Sequence, residues 1–296
     1  MSLVTGQSKM IGLIIPDLFH GFFAEVVAGV SDALGRYGYG LILSSSRHNA
    51  ERESKEIRQM LALSVDALIV ASCDSQPAAL ELAARDVPLV LLDRRIAGSP
   101  AFPFVGTDDA LAGELATQHL IDTGHRRIAY IGGPAFSPSN DREQAYRAVL
   151  SRNKIALPKE YLERVPRNEK SKHVPGEQCM QRLLMLKPRP DAVFCYNDPT
   201  AWGAMVAILD AGLRIPEDIA ILGCGNSFYN SLMRVPLTSV DQNAAKLGSE
   251  AADVSLRAIK SRLDKQEHVP ATVLLKPTLV VRGSTVRAKP RAKTKS

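Results

Sequence analysis

The sequence has few of the features that mark a catalytic, metal-binding or disulfide-bonded protein. Its 296 residues include only four cysteines and six histidines, with no Cys-x-x-Cys pair and no metal-ligand spacing. Nucleophile-elbow, phosphate-loop and His-Glu-x-x-His motifs are missing. We therefore expect reduced, buried thiols in a cytosolic protein. We expect no enzymatic activity, no catalytic residue, no metal and no cofactor.

Long apolar runs are missing as well. The first apolar run, Met10–Ile15, is only long enough for one strand, and the residues before it are polar. This pattern predicts neither a signal peptide nor a membrane span, and we expect a cytoplasmic protein without membrane contact. Residues 1–8 are interpreted as a linker or expression-vector remnant that precedes the fold.

Basic charge is concentrated at the C-terminus. The net charge is +6, but five basic residues lie in the last ten positions, which leaves 32 basic against 31 acidic residues elsewhere. The sequence therefore gives no indication of a broad DNA-binding face on the core. Residues 286–296 alternate Lys or Arg with Ala, Pro, Thr and Ser, and we predict a disordered basic tail there.

Short apolar, β-branched runs recur along the chain, separated in most cases by segments with helical periodicity. These runs are Met10–Ile15, Tyr39–Leu43, Ala67–Ala71, Leu89–Leu92, Arg127–Ile131, Ala192–Cys195 and Ile219–Leu222. Strands that are apolar throughout and alternate with helices are typical of parallel sheets buried on both faces. The sequence therefore predicts a doubly wound α/β fold.

Three phrases carry a resemblance to a known family. They are GHRRIAYIGG at residues 124–133, NDPTAWG at 197–203 and AGLRIPEDIAILG at 211–223. Together they resemble the effector-binding core of the lac repressor (LacI/GalR) family, and the resemblance extends from about Lys9 to Ser284. It implies two doubly wound parallel-sheet subdomains of the periplasmic-binding-protein-like type I, with a ligand cleft between them.

The resemblance also implies three crossings between the subdomains. The α/β alternation breaks at Pro134–Asn140 and at Val235–Gln242, where the first two crossings are expected. We therefore predict an N-terminal subdomain of residues 9–133 plus 238–270. The C-terminal subdomain would comprise residues 134–237 plus 271–285, including the final strands Val273–Leu275 and Thr278–Val281.

Open parallel sheets bind ligands beyond the carboxyl ends of their strands, so the residues that follow each strand are the candidate site. They combine carboxylates, amides, aromatic rings and one arginine. The predicted ligand-binding residues are Asp17, Phe19, Phe22, Ser72, Asp93, Arg142, Phe194, Asn197, Asn226 and Gln242.

Arg142 lies in a Ser-x-x-Arg segment whose arginine, by the resemblance, points into the cleft. A guanidinium suits this position because its five donors can grip hydroxyl pairs or carboxylates. By the same resemblance Asn197 contacts the ligand, Phe194 lies against its ring and Gln242 reaches the cleft.

Structural alternatives remain open for several of these residues. Ser72 and Asp93 could equally cap loops, and Phe22 could anchor a helix in the core. We expect Asp198 to be a helix N-cap.

One position departs from the family pattern. After the strand that ends near Gly223, the family usually has an aromatic residue and then an aspartate that binds effector hydroxyls. Here Gly225 occupies the aspartate position. The site loses a strong acceptor unless Asn226 replaces it, so an ordinary monosaccharide is not assured as the ligand.

Three functions are compatible with these features. The first is the effector-binding half of a homodimeric transcriptional regulator, which would bind a sugar or sugar derivative; the same residues would also suit a nucleobase or a small acid. It would reach operator DNA only through an N-terminal helix-turn-helix upstream of this sequence. The second is an extracytoplasmic sugar-binding protein of a transport system. The third, an α/β enzyme acting on sugars, would need Asp17 and Asp93 as an acid/base pair.

Overall fold

The computed structural model describes residues 7–73, 78–96, 102–166, 174–266 and 270–286. The predicted basic tail therefore lies outside the described residues except for Val286, as does the predicted linker remnant except for Gln7 and Ser8. No helix of the described residues is both long and apolar enough to cross a membrane.

Strands and helices alternate through most of the described residues. The strands are β1 (Met10–Ile15), β2 (Gly40–Ser45), β3 (Ala67–Val70), β4 (Leu89–Leu92), β5 (Phe104–Thr107), β6 (Ile128–Gly132), β7 (Leu162–Arg164), β8 (Ala192–Cys195), β9 (Ala220–Cys224), β10 (Thr238–Asp241), β11 (Thr272–Leu275) and β12 (Thr278–Val280). The helices are α1 (Gly21–Gly35), α2 (Ala50–Ala62), α3 (Ala78–Asp86), α4 (Asp109–Asp122), α5 (Ser137–Arg152), α6 (Val174–Leu184), α7 (Asp198–Asp210) and α8 (Ala244–Leu263).

The strands form two six-stranded sheets, in the orders β11-β5-β4-β3-β1-β2 and β12-β10-β9-β8-β6-β7. Neighbouring strands are parallel except for β10 and β12, which are antiparallel. This arrangement confirms the predicted doubly wound α/β class.

Each sheet is covered on both faces. In the first, Ile11, Leu13 and Ile15 of β1 pack with α1 and α8, whereas Ile14 packs with α2 and α3. In the second sheet α6 and α7 cover one face, and α4 and α5 cover the other. Because side chains alternate along a strand, every position of β1 and of β8 meets one of these layers, which accounts for their apolar sequences.

Helices α1 and α8 pack closely because a glycine on each faces the backbone of the other. A Cβ on Gly29 would lie 1.9 Å from the Ala245 carbonyl oxygen, and one on Gly248 would lie 2.1 Å from the Val26 oxygen. Only the lack of a side chain at both positions permits this contact.

The chain divides into two compact units. The first contains the described residues up to Asp108, together with Ala135–Asn140 and Gln242–Pro277, and the second contains Asp109–Pro134, Asp141–Asp241 and the described residues from Thr278 onward.

These boundaries differ from the predicted subdomains at three strands. Strands β6 and β10 were predicted in the first subdomain, but they pair with β8 and β9 of the second sheet. Strand β11 was predicted in the second subdomain, but it pairs with β5 of the first sheet. The physical reason is that an apolar pattern identifies a buried strand without identifying its neighbour, which is decided by long-range hydrogen bonding.

Candidate functional site

Arg142 of the second unit is buried and held by a carboxylate. Its Nε and Nη2 donate to Asp109 Oδ1 at 2.9 and 2.6 Å, and its Nη1 donates to the Tyr196 carbonyl at 2.6 Å. Helices α4 and α5 approach closely here, since a Cβ on Gly113 would lie 2.5 Å from the Arg142 oxygen. The structure thus brings Arg142 to the residue directly before Asn197, at the carboxyl end of β8.

Asn197 has a defined structural role beside its predicted ligand contact. It is the N-cap of α7, with extended backbone geometry, and its Oδ1 accepts the Thr200 N–H at 3.0 Å. The expectation that Asp198 would be the N-cap was wrong, because Asp198 is already the first helical residue. Asn197 therefore has the capping role that was predicted for Asp198.

Asp198 instead joins the start of α7 to the segment after β9. Its buried carboxylate accepts the Ser239 hydroxyl at 2.6 Å and both the Ser227 N–H and Asn230 Nδ2 at 2.8 Å. Burial raises the pKa of the Asp198 carboxyl, and these three hydrogen bonds oppose that shift. Sequence reasoning missed this role, because the partners lie 29 to 41 residues further along the chain.

The surroundings of Asp198 account for the residues found at positions 225 and 226. The Asn226 amide donates to Asp241 Oδ2 at 3.1 Å and accepts from Arg282 at 2.7 Å, so it belongs to an internal network. Gly225 has φ +131°, a conformation that L side chains rarely adopt, and a Cβ there would lie 3.2 Å from Asp198 Oδ2. The backbone therefore requires glycine where the family usually has aspartate.

Phe194 does not line a binding surface, which corrects the prediction. It is fully buried on β8, packed edge-to-face against Tyr130 with ring centroids 5.2 Å apart. Strand β8 lies between β6 and β9, and helices α4 and α5 cover the face that carries Phe194. A side chain enclosed in that layer is a core residue.

Phe22 is likewise a core residue. It packs edge-to-face against Phe23 at 5.0 Å and belongs to the cluster between β1, α1 and α8. Phe19, three residues earlier, has 89% of its surface exposed. Asp17 Oδ1 accepts the Phe19 N–H at 2.9 Å and shapes this loop. Of the two aromatic candidates after β1, only Phe19 presents its ring outward.

Ser72 is connected to Glu53, a buried residue of α2 that sequence reasoning missed. Its hydroxyl donates to Glu53 Oε1, and the neighbouring Cys73 N–H donates to Glu53 Oε2 at 2.7 Å. Burial, with the Glu53 charge as a second cause, raises the pKa of the Cys73 thiol to about 12, so this thiol stays protonated at neutral pH. The signal that could have identified Glu53 was an acidic residue on the face of α2 that is buried in the protein.

Asp93 lies at the end of β4 with a left-handed backbone, φ +63°. The neighbouring Arg94 lies 3.7 Å from its carboxylate and donates to the Ser72 carbonyl at 3.3 Å. The Arg94 guanidinium also stacks on Phe136, 4.0 Å from the ring centroid. Ser72 and Asp93 are therefore brought together through Arg94, and the sequence had singled out neither Arg94 nor Phe136.

Gln242, the last predicted residue, is buried in the first unit. Its Nε2 donates to the Thr107 hydroxyl at 3.3 Å, at the carboxyl end of β5. The first unit thus contains Asp17, Phe19, Ser72, Asp93 and Gln242, and the second contains Arg142, Asn197 and Asn226.

Two doubly wound sheets with polar residues at their strand ends define a class of ligand-binding domain. In agreement, the model of the periplasmic binding protein-like domain matches residues 117–285. The chain is 35% identical to the ribose operon repressor of Haemophilus influenzae and 28% identical to the HTH-type transcriptional repressor PurR of Mannheimia succiniciproducens. Both alignments cover 96% of this chain and 83% of the relative.

Solved structures agree. A transcriptional regulator CelR–cellobiose complex matches with a TM-score of 0.83 and 28% identity, over 94% of this chain and 85% of that one. A LacI family transcriptional regulator from Mycobacterium smegmatis matches with a TM-score of 0.80 and 25% identity, over 93% and 98%. The chain belongs to the LacI family of transcriptional regulators. Its relatives are repressors, not enzymes, and they do not favour the transport-protein alternative.

Proposed function

We propose that this chain is the effector-binding and dimerisation part of a LacI-type transcriptional regulator, and that its effector is a sugar or sugar derivative. The observation that carries the proposal is the Arg142 guanidinium held beside Asn197 at the carboxyl end of β8. This is the sheet edge at which open parallel sheets bind ligands. The names of a ribose operon repressor and of a cellobiose complex among its relatives support the class of ligand.

The proposed ligand-binding residues are those whose polar or exposed groups lie at the strand ends. They are Asp17, Phe19, Ser72, Asp93, Arg142, Asn197, Asn226 and Gln242. The protein would act by binding, without catalysis, in the cytoplasm where operator DNA is found. Operator recognition would require a DNA-binding segment in addition to these residues.

A thermal-shift panel tests the ligand class. We expect D-ribose or another neutral mono- or disaccharide to stabilise the protein by about 2.7 kcal/mol at about one hundred times its dissociation constant. Sugar phosphates, sugar acids and purine bases complete the panel. A response to a purine base alone would contradict the sugar class, and no response from the whole panel would contradict a small-molecule sensor for these ligands.

Dimerisation is proposed through an exposed apolar segment of the second unit. Phe228, Tyr229 and Leu232 expose 69%, 62% and 67% of their surfaces, and we call them the 228–232 patch. Asn230 fixes the segment, since its side chain donates to Asp198 and accepts from Trp202 Nε1, both at 2.8 Å. A rigid aromatic patch of this kind is typical of a protein interface.

Tyr229→Lys is expected to weaken the dimer about 30-fold or more, because it places a charge in the interface. Sedimentation equilibrium measures the monomer–dimer constant. Tyr37→Lys is the matched control, since Tyr37 is also exposed, at 60%, but lies in the first unit. An unchanged dimer constant for Tyr229→Lys would exclude the 228–232 patch from the interface.

A further inference from the structure

We propose that Asp109 determines the charge class of the effector by neutralising Arg142, so that the site accepts a neutral ligand and rejects an anionic one. The inference rests on the proposed function, since it requires Arg142 to contact the effector. Asp109 was absent from the residues predicted to form the site, because no sequence pattern links it to an arginine 33 positions away.

Asp109 forms short hydrogen bonds with the Arg142 guanidinium. One carboxylate oxygen, Oδ1, accepts from both Nε and Nη2, and the Nη2–Oδ1 separation is 2.6 Å. Asp109 and Arg142 are only 5% and 4% exposed. Solvent and salt therefore screen the pair weakly, and the charge of the carboxylate acts on any ligand that approaches the guanidinium.

Arg142 differs in this respect from an arginine that recognises anions. An uncompensated guanidinium favours carboxylate or phosphate ligands through charge-assisted hydrogen bonds. Here the charge is already balanced, so an anion at Arg142 would gain no net attraction and would be repelled by Asp109. A neutral hydroxyl oxygen avoids that repulsion.

The neighbouring Glu143 has ion-pair partners of its own. Glu143 forms ion pairs with Arg147 at 2.8 Å and with Arg164. Those arginine side chains are 47% and 44% exposed, whereas both side chains of the Asp109–Arg142 pair are buried. The buried carboxylate in contact with the Arg142 guanidinium is that of Asp109.

Asp109→Asn tests the proposal, because the amide keeps an oxygen for the guanidinium and removes only the charge. Isothermal titration calorimetry at low salt would measure the affinities for D-ribose, ribose 5-phosphate and sulfate. We expect the affinity ratio of ribose 5-phosphate to D-ribose to rise about tenfold or more in the variant. Asp122→Asn is the matched control, since it removes the same charge from the exposed end of α4, about 20 Å away.

The results test the role of Asp109 separately from the proposed sugar class of the effector. An unchanged affinity ratio in folded Asp109→Asn would overturn it. If the wild-type protein binds no neutral sugar, the proposed sugar class fails, and sulfate decides the role of Asp109. Sulfate binding gained in Asp109→Asn would support charge compensation, and no gain would overturn it.

If the variant does not fold, the wild-type protein tests the proposal instead. Tenfold tighter binding of ribose 5-phosphate than of D-ribose would overturn the proposal, and the opposite preference would support it.

Discussion

Arg142→Ala is expected to lower the free energy of unfolding by about 3–5 kcal/mol, because it removes one partner of the buried Asp109–Arg142 ion pair. The Tyr196 carbonyl loses its 2.6 Å donor in the same variant. Urea denaturation followed by circular dichroism at pH 7 measures the loss. A side chain that only contacted ligand would leave the stability of the ligand-free protein nearly unchanged.

Arg147→Ala is the control for this prediction. Arg147 lies on the same helix and pairs with Glu143 four residues away, but its side chain is 47% exposed. An exposed pair of this kind contributes about 0.3–0.5 kcal/mol. Similar losses for the two variants, or a loss below about 1 kcal/mol for Arg142→Ala, would contradict the buried ion pair as a stabilising element.

Arg142→Lys separates the stability of the site from ligand recognition. Lysine keeps a positive charge for Asp109 but loses the planar fork of donors. We therefore expect most of the stability to remain while ligand affinity falls by about 2 kcal/mol, or about 30-fold, as expected when a charged hydrogen bond is lost. Unchanged affinity in calorimetry would remove Arg142 from the ligand contacts.

Gly225→Asp is expected to destabilise the protein by about 3 kcal/mol or more and to give no increase in sugar affinity. The substitution forces a side chain onto a backbone with φ +131° and places a second carboxylate beside the buried Asp198. Strain at such a backbone costs about 1–3 kcal/mol, and an unpaired buried charge adds to it. Restoring the usual family residue would therefore not restore its function.

Gly212→Asp is the control for an aspartate placed at a positive φ without a neighbouring carboxylate. Gly212 also has a left-handed backbone, φ +73°, but a Cβ there would meet nothing within 4 Å. We expect a loss of about 1 kcal/mol from backbone conformation alone. Equal losses of unfolding free energy for Gly212→Asp and Gly225→Asp would contradict a stricter requirement for glycine at position 225.

The sequence by itself determined the fold class and indicated the family, because both depend on short local patterns. Central parallel strands must be apolar on both faces, so runs such as Ala192–Cys195 and Ile219–Leu222 identified buried strands. Helical segments between them predicted the doubly wound class, and the phrases around Gly124 and Asn197 indicated the family. Each of these signals is contained within a window of about 11–18 residues, which is the range over which a sequence pattern is informative.

Only the tertiary structure decided which strands share a sheet. Strand β11 follows α8 of the first unit and pairs with β5, whereas β12, three residues further on, pairs with β10. Both strands are short and half-exposed, and their patterns do not distinguish the two positions. Pairing depends on the partner strand, which no local pattern contains.

The roles of individual site residues also depended on the tertiary structure. The sequence identified Arg142 but not Asp109, and it identified Phe194 as a ring without showing that α4 and α5 enclose it. It also interpreted Gly225 as a lost carboxylate, whereas the backbone at that position and the buried Asp198 require glycine. In each case the neighbour that decides the role lies about 27 or more positions away in the chain and contacts the residue only in the folded protein. Burial, ion pairing and backbone conformation at these residues are therefore properties of the tertiary structure.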